Sequence, residues 1–207
     1  MDTKTPLHSQ YKDSFFRSRH KLSWRVPYVC QAIADSIKFT SIVDVGCANG
    51  DIVQGFADMG FFSYGVEGSP HAKPHLMCDP DVVHFHDLRE QMYSDIWCEL
   101  CTCLEVAEHI ETEFVPQFIT NLTTMSDQLL LSIAGPGQGG THHYTLKHIG
   151  WWDCCFRDCG FIRDDSIAER IIKQWEPHKN RPGIKAYYQN LHFYTSMKYY
   201  ANGGNHD

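Results

Sequence analysis

Residues 42–50 read Ile42-Val43-Asp44-Val45-Gly46-Cys47-Ala48-Asn49-Gly50, and they are followed by Asp51-Ile52-Val53-Gln54-Gly55-Phe56. The apolar run predicts a strand, the glycines a tight loop, and the spacing of apolar side chains after Gly50 a helix. Because Gly46 and Gly50 lack a Cβ, the backbone can turn sharply there and a ligand can lie against it. Asp51 is expected to cap the helix by accepting hydrogen bonds from its free amides. The stretch therefore indicates the start of an α/β fold that binds a nucleotide-like ligand.

The spacing of the glycines narrows the class of ligand. A dinucleotide fingerprint requires GxGxxG, but the middle glycine is missing here. A phosphate-binding P-loop requires GxxxxGK[ST], and no lysine follows Gly50. The stretch instead resembles motif I of the class I S-adenosylmethionine (SAM) methyltransferases, whose loop wraps a nucleoside without a phosphate. Ala48 departs from the glycine that is common in that motif, and an ordinary βα turn of a flavodoxin-like domain is the alternative.

An acidic residue also ends the second predicted strand, Phe62 to Glu67, which Gly68-Ser69-Pro70 terminates. At that position Glu67 can accept hydrogen bonds from both ribose hydroxyls, as the corresponding acid does in dinucleotide folds. A third strand is expected over Asp81 to Leu88, with its end at Asp87. The resemblance implies that Asp87 and the backbone of Leu88 contact adenine, whereas a surface acid at a strand end is the alternative.

The resemblance extends from about Tyr11 to Met197 and implies a Rossmann-like α/β fold. This fold has a seven-stranded mixed sheet, helices on both faces and an antiparallel last strand. A helix before the first strand covers the SAM pocket in the family, although simple packing on the sheet is equally compatible with the sequence here. The residues expected to bind SAM are Asp44, Gly46, Cys47, Ala48, Gly50, Glu67, Gly68, Asp87, Leu88, Leu104 and Glu105.

A second motif, Glu105-Val106-Ala107-Glu108-His109-Ile110, follows the predicted strand Ile96 to Leu104. If a helix begins at about Glu105, then Glu105, Glu108 and His109 share one face at the sheet edge where ligands bind. Such a set can ligate Mg²⁺ or Mn²⁺. The ExxEH pattern resembles that of two metal-dependent O-methyltransferase families, those of ubiquinone biosynthesis and of small-RNA 3′-terminal 2′-O-methylation. An EH pair that holds no metal and fixes the helix start is the alternative.

A glycine-rich loop with two histidines, residues 134–144, follows the predicted strand Gln128 to Ile133. The loop is expected at the same sheet edge, so that His142 or His143 could act as general base on an acceptor hydroxyl. His143 is the first choice, because its position after the glycines resembles that in a subset of methyltransferases; exposed histidines on a flexible loop are the alternative. The candidate catalytic residues are His109, His143, His142 and Glu105. The candidate metal ligands are Glu105, Glu108, His109 and His143.

Composition limits the other possibilities. The chain has 18 basic and 25 acidic side chains and a formal charge of −7, which argues against a broad nucleic-acid footprint. No apolar run is long enough to span a bilayer and the chain begins without an apolar signal core, which predicts a cytoplasmic protein. The basic residues near the start are interpreted as a solvated helix face, and a local basic patch is the alternative; they are Arg17, Arg19, His20, Lys21 and Arg25.

Nine cysteines invite a metal or disulfide interpretation, but their number is odd and several fall inside predicted strands and helices. We therefore predict reduced thiols. Cys98 and Cys101 have the spacing of a zinc pair, yet they would face opposite sides of the predicted strand. Cys154, Cys155 and Cys159 are expected in a helix that ends at Gly160, as small buried apolar residues.

These observations predict one domain over residues 1–207, with a helical cover (1–40), a catalytic sheet core (41–199) and a tail (200–207). The predicted function is SAM-dependent methylation of an oxygen on a small molecule or sugar, without a membrane partner. A metal-dependent RNA ribose 2′-O-methyltransferase is the second hypothesis, and a non-catalytic SAM-binding regulator or partner subunit is the third. The absence of a DPPY or NPPY tetrapeptide disfavours amino-methylation of DNA bases.

Overall fold

The computed structural model describes residues 10–93 and 95–204, so that residues 1–9 of the predicted cover and 205–207 of the predicted tail lie outside it. The strands are Ser41–Val45 (β1), Phe62–Glu67 (β2), Val83–Phe85 (β3), Leu100–Leu104 (β4), Gln128–Ser132 (β5), Phe161–Arg163 (β6) and Leu191–Ser196 (β7). They form a seven-stranded sheet in the order β3-β2-β1-β4-β5-β7-β6. Only the pairs of β7 with β5 and β6 are antiparallel among these described strands. The predicted mixed sheet with an antiparallel last strand is confirmed.

Helices cover both faces of the sheet. The α-helices are Asp13–Arg19 (α1), Val26–Ser36 (α2), Asp51–Asp58 (α3), Val115–Met125 (α4), Ile149–Asp158 (α5), Asp165–Trp175 (α6), Lys185–Asn190 (α7) and Met197–Ala201 (α8). The 3₁₀ helices are His20–Arg25, Pro70–His75, Pro80–Val82, Ala107–His109, Thr112–Phe114 and Glu176–His178. Within the described ranges, no helix is long and apolar enough to cross a membrane.

The alternation of side chains along the strands explains why both faces need a cover. Ile42 of β1 belongs to the apolar core that contains side chains of α2, α3 and α6. Its neighbour Val43 belongs to the opposite core, with side chains of α4 and α5. The strands of the sheet centre are therefore buried on both sides, and the polar groups that line a site must come from the strand ends.

The turn between β1 and α3 is left-handed at three positions, with φ of 77° at Gly46, 52° at Ala48 and 68° at Gly50. A Cβ on Gly46 would lie 2.4 Å from a methyl group of Val106, so that only glycine fits there. The prediction that Asp51 caps α3 is wrong, because Gly50 is the N-cap residue and makes no side-chain hydrogen bond. The Asp51 carboxylate instead accepts hydrogen bonds from Arg25 at 2.8 and 3.3 Å.

Some predicted elements are shorter in the structure than in the sequence analysis. The third strand is only Val83–Phe85, since the preceding residues form a 3₁₀ helix. The fourth begins at Leu100, so that Cys98 precedes it.

All nine cysteines are free thiols, as predicted, but Cys154 and Cys159 are exposed and the expectation that they are buried is wrong. Cys154 in α5 and Cys159 directly after it do not belong to the apolar core that contains Trp152 and Phe156.

The ion pair between Arg25 and Asp51 provides a test of the fold, because their side chains are only 1% and 2% exposed. Arg25→Leu leaves a buried carboxylate without its counter-ion, so the free energy of unfolding should fall by about 3–5 kcal/mol in urea titrations. The control is Arg17→Leu. Arg17 pairs with Asp13, and the side chain of Arg17 is 73% exposed. That change should lower the free energy of unfolding far less, because solvent screens exposed ion pairs, and equal losses for both variants would contradict the expected role of the buried pair.

Candidate functional site

A cavity of about 430 Å³ opens where the carboxyl ends of β1, β2 and β4 meet. This is the edge at which open α/β sheets bind ligands. Most of the residues predicted to bind a cofactor line it, namely Gly46, Ala48, Glu67, Gly68, Asp87, Leu88, Leu104 and Glu105. The predicted histidines also line it, namely His109, His142 and His143. The cavity thus joins the two motifs that the sequence analysis treated separately.

Glu67 is fixed at the floor of the cavity by backbone amides. Its Oε2 accepts a hydrogen bond from the amide of Ala48 at 2.9 Å, and its Oε1 accepts one from Ser69 at 2.7 Å. Burial raises the pKa of the Glu67 carboxyl to about 7, although these two amides favour its charged form. The carboxylate is therefore held in one orientation, with lone pairs left for a ligand that donates hydrogen bonds.

Asp44, Cys47 and Gly50 do not line the cavity, unlike the other predicted cofactor residues. The carboxylate of Asp44 accepts a hydrogen bond from the hydroxyl of Thr102 at 2.7 Å, and burial raises its pKa to about 7. Cys47 packs with Cys78 on the outer side of the turn, and a Cβ on Gly50 would lie 2.4 Å from the sulfur of Cys78. These three residues shape the turn from behind and do not face the cavity.

Asp87 lines the cavity wall and pairs with a neighbouring cation. Its carboxylate accepts hydrogen bonds from the Nε of Arg89 at 3.0 Å and from its Nη2 at 2.8 Å. The same guanidinium donates to Glu111 at 3.0 Å. Arg89 therefore fixes the orientation of Asp87, and the sequence analysis did not identify this residue.

The helix predicted to begin at Glu105 is absent, because β4 ends at Leu104 and residues 107–109 form a 3₁₀ helix. Glu105 itself is left-handed, with φ of 59°. Its Oε1 accepts hydrogen bonds from the hydroxyl of Ser132 at 2.9 Å and from the side-chain amide of Asn190 at 3.1 Å. The prediction that Glu105, Glu108 and His109 share a helical face is therefore wrong, and Glu105 turns towards β5 and α7.

A three-residue cluster takes the place of the predicted four-ligand set. One ligand atom each from Glu108, His109 and His143 lie within 4.8 Å of one another, and Glu105 does not belong to this group. Glu108 is fully buried, yet neither of its carboxylate oxygens has a hydrogen-bond donor in the part of the chain that the structure describes. Burial and the nearby charge of Glu105 raise the pKa of Glu108. A buried carboxylate without donors is costly, and a cation between these three residues would offset that cost.

The two imidazoles of the cluster are oriented through their Nδ1 atoms. Nδ1 of His109 lies 3.0 Å from the carbonyl oxygen of His142, which can only accept, so that Nδ1 carries the proton and Nε2 is free. Burial, aided by the neighbouring His143, lowers the pKa of His109 to about 4, which keeps the imidazole neutral. Nδ1 of His143 lies 3.3 Å from the carbonyl of Gln138, and its ring centre is 4.7 Å from that of His109. Both Nε2 atoms are thus available as ligands or as proton acceptors.

Glycine at position 140 makes room for the imidazole of His143. A Cβ there would lie 2.2 Å from Nε2 of His143, whereas a Cβ on Gly139 would have no atom within 4 Å. His142 contributes through its backbone, since its carbonyl orients His109 and its φ of 62° is left-handed. The imidazole of His142 lies 3.2 Å from the hydroxyl of Tyr144.

The segment before β1 lines the cavity, where the resemblance implied a covering helix, although none of its residues was predicted as a site residue. Tyr11, Phe15, Phe16 and Arg19 all line it. The Nε of Arg19 is buried without a hydrogen-bond partner among the residues described, and the guanidinium lies 5.3 Å from the ring centre of Phe15. The interpretation as part of a solvated face is therefore wrong for Arg19, and it is also wrong for Arg25, which is buried against Asp51. The spacing of four between Phe15 and Arg19 places both on one helix face and is the signal that could have revealed it.

No protein-family model matches the chain. A ubiquinone biosynthesis O-methyltransferase of Rickettsia felis is 31% identical to it over 123 residues, which are 54% of this chain and 48% of that protein. The chain thus spans about half the length of this relative.

Three solved structures have the same architecture. DesVI of Streptomyces venezuelae is similar with a TM-score of 0.65 and 13% identity, over 90% of this chain and 99% of that one. The O-methyltransferase of a trans-AT PKS multienzyme from Brevibacillus brevis was solved in complex with S-adenosylhomocysteine (SAH). Its TM-score is 0.55 and its sequence identity 13%, over 90% of this chain and 76% of that one. The magnesium protoporphyrin IX methyltransferase of Synechocystis, with bound SAM, has a TM-score of 0.54 and 18% identity, over 79% of this chain and 90% of that one. At such low identity the likeness concerns the fold alone: this chain has the fold of the class I SAM-dependent methyltransferases.

Proposed function

We propose that the protein transfers a methyl group from SAM to an oxygen atom of a small molecule or sugar. The observation that carries the proposal is the fixed carboxylate of Glu67, which faces a cavity of about 430 Å³ beside the glycine turn. The Rickettsia relative supports the class of reaction, as its name is that of an O-methyltransferase. The formal charge of −7 favours a small acceptor over a nucleic acid.

The residues of the cavity divide into two ends in this proposal. Glu67 accepts hydrogen bonds from the ribose hydroxyls, and the wall at Asp87 and Leu88 borders the adenine. Arg19, a cation without a described counter-ion, pairs with the carboxylate of the methionyl part. When bound, SAM supplies a methyl group that is electrophilic because it is attached to a sulfonium.

The opposite end of the cavity holds the acceptor and removes its proton. In a reaction without metal, Nε2 of His143 accepts the proton of the acceptor hydroxyl, because its Nδ1 is already committed to the carbonyl of Gln138. The acceptor oxygen would then be ready to take the methyl group that bound SAM supplies, with SAH as the second product. Alignment of the reacting atoms supplies most of the acceleration in such a transfer.

Binding of SAH tests the cofactor site without knowledge of the acceptor. Glu67→Gln removes the charge that the ribose hydroxyls would meet, so calorimetry should give a dissociation constant raised at least about tenfold. Because the pKa of the empty carboxyl is about 7, wild-type affinity should also fall about tenfold from pH 8 to pH 6, as the proton on Glu67 must leave before the hydroxyls bind. Glu67→Gln should lose this pH dependence.

Glu169→Gln is the control, since Glu169 is exposed and does not line the cavity. It should leave both the affinity and its pH dependence unchanged. Unfolding titrations of each variant separate loss of binding from loss of structure. Wild-type protein that ignores SAH and SAM at millimolar concentration would refute the proposed function. SAH binding without transfer to any acceptor in a broad panel would favour a SAM-binding regulator or partner subunit instead.

Arg19 can be tested with two ligands that differ in one group. SAH carries the methionyl carboxylate and 5′-methylthioadenosine lacks it, so Arg19→Gln should weaken SAH about tenfold or more and leave methylthioadenosine within twofold. The control Arg17→Gln, on the exposed side of α1, should change neither affinity. Equal weakening of both ligands would contradict a contact to the carboxylate.

A metal-dependent reaction on an RNA ribose is the second candidate function, and the cluster of Glu108, His109 and His143 favours it. The group fits a divalent ion, because the Glu108 carboxylate is buried without a donor and each imidazole presents a free Nε2. Two nitrogen ligands favour Mn²⁺ over Mg²⁺, which prefers oxygen. Such an ion would bind the acceptor hydroxyls and lower their pKa, and Glu105 would then orient the loop and not ligate.

Gly140→Ala tests the metal site from outside the ligand set. The added Cβ should push the imidazole of His143 aside, so that Mn²⁺ affinity by electron paramagnetic resonance falls about 10–100-fold. Gly139→Ala is the matched control and should bind Mn²⁺ as wild type does, since its Cβ meets no atom. Wild-type protein that takes up no Mn²⁺, with or without SAH, would remove the metal and leave the methyltransferase proposal standing. RNA oligonucleotides with free or 2′-O-methylated 3′ ends then distinguish the acceptors.

We propose a cytoplasmic location and a single domain for this chain. The location is supported by the nine free thiols, of which six are buried. A small-molecule partner is supported by the three histidines that line the cavity and by the acidic charge.

A further inference from the structure

Gln138, the polar residue of the glycine-rich loop, belongs to a chain of side-chain hydrogen bonds. Its Oε1 accepts from the amide of Gly135 at 3.2 Å, and its Nε2 donates to Oδ1 of Asn190 at 2.9 Å. Nδ2 of Asn190 donates in turn to Oε1 of Glu105 at 3.1 Å. Three segments that are distant in sequence therefore meet beside the cavity: the end of β4, the loop after β5, and the end of α7.

The direction of every bond in this chain is determined by its two ends. The backbone amide of Gly135 can only donate, so that Oε1 of Gln138 must face it and Nε2 must face Asn190. Asn190 then presents Oδ1 to Gln138 and Nδ2 to Glu105, which accepts as a carboxylate. An amide at position 190 satisfies both neighbours, whereas a carboxylate would meet Glu105 with a like charge.

The chain ends on the imidazole that faces the reacting end of the cavity. The backbone carbonyl of Gln138 lies 3.3 Å from Nδ1 of His143, and the backbone carbonyl of Asn190 accepts from the amide of Ile133 at 3.1 Å. Asn190 is only 5% exposed, although a buried amide is expensive unless all of its groups are satisfied. Its place in the sequence, at the end of α7 and just before β7, gives no hint of a role in the site.

We propose that Asn190 and Gln138 are positioning residues, which hold the loop so that a ring nitrogen of His143 stays beside Glu108 and His109. Neither residue lines the cavity, so that they act through His143 and not on a ligand. The catalytic meaning of this role rests on the proposed function, but the placement of the imidazole can be measured without it. Glu105 was predicted as a metal ligand. In this chain of hydrogen bonds it instead accepts from Asn190.

Gln138→Glu removes one bond and keeps the other, because its carboxylate still accepts from Gly135 but cannot donate to Asn190. Long-range ¹H–¹⁵N spectra of the histidine side chains report which nitrogen of His143 carries the proton. We expect wild type to show the proton fixed on Nδ1, and Gln138→Glu and Asn190→Leu to show a mixture of both forms. SAH affinity should stay within twofold, since Glu67 and its amides are untouched.

Gln117→Glu is the matched control, because Gln117 donates the same type of bond to Asn121 at 3.0 Å on α4, away from the cavity. It should leave the His143 signals unchanged. Unfolding titrations exclude variants that lose the fold, and Gln138→Glu remains informative if Asn190→Leu does not fold. A wild-type His143 spectrum in folded Gln138→Glu would overturn the proposal. Failure of wild type to bind SAH would refute the proposed function alone, as the tautomer of His143 is read in the empty protein.

Discussion

The carboxylate of Glu67 joins the first two strands at the point where the cavity begins. It accepts from an amide of the turn after β1 and from an amide of the turn after β2, at Ala48 and Ser69. The two turns must therefore keep a fixed separation. The turn after β1 needs a left-handed backbone at Gly46, where a Cβ would collide with Val106, so that only glycine fits. A carboxylate used in this way stays buried and basic, so that the same group that holds the floor together is ready to accept the hydroxyls of a ligand.

At the end of the cavity away from Glu67, the buried acid is not satisfied by hydrogen-bond donors. Arg89 and backbone amides satisfy the acids near the floor, whereas the carboxyl of Glu108 is buried with no described donor and lies beside Glu105. The imidazole of His109 is kept neutral there and cannot compensate that charge. This end is therefore satisfied by a proton or by a cation, and the two candidate functions differ in which of them it holds.

The sequence predicted the parts of the molecule that depend on local pattern. The bounds of β2 and the position of Glu67 follow from an apolar run, a terminating glycine and an acid, and the structure has them as expected. The helix at Glu105 was wrong because a helical spacing of polar residues cannot reveal that the first of them is left-handed. Helix α6 was overlooked, although Asp164 caps it by accepting from the amide of Ser166. Asn190 carries no local signal of the distant residues that it meets, Gln138 and Glu105.

Backbone strain supports the location of the site independently of the side chains. Among the residues that the structure describes, Ala48, Glu105 and His142 are the non-glycine residues with positive φ, at 52°, 59° and 62°. Each such conformation costs on the order of 1 kcal/mol or more, and a protein keeps it only where the surroundings determine it. All three line the same cavity although they belong to three separate loops. Since strain of this kind persists where geometry is needed for a ligand, the three loops support the proposed site, at which the glycine turn, the ExxEH segment and the histidine loop meet.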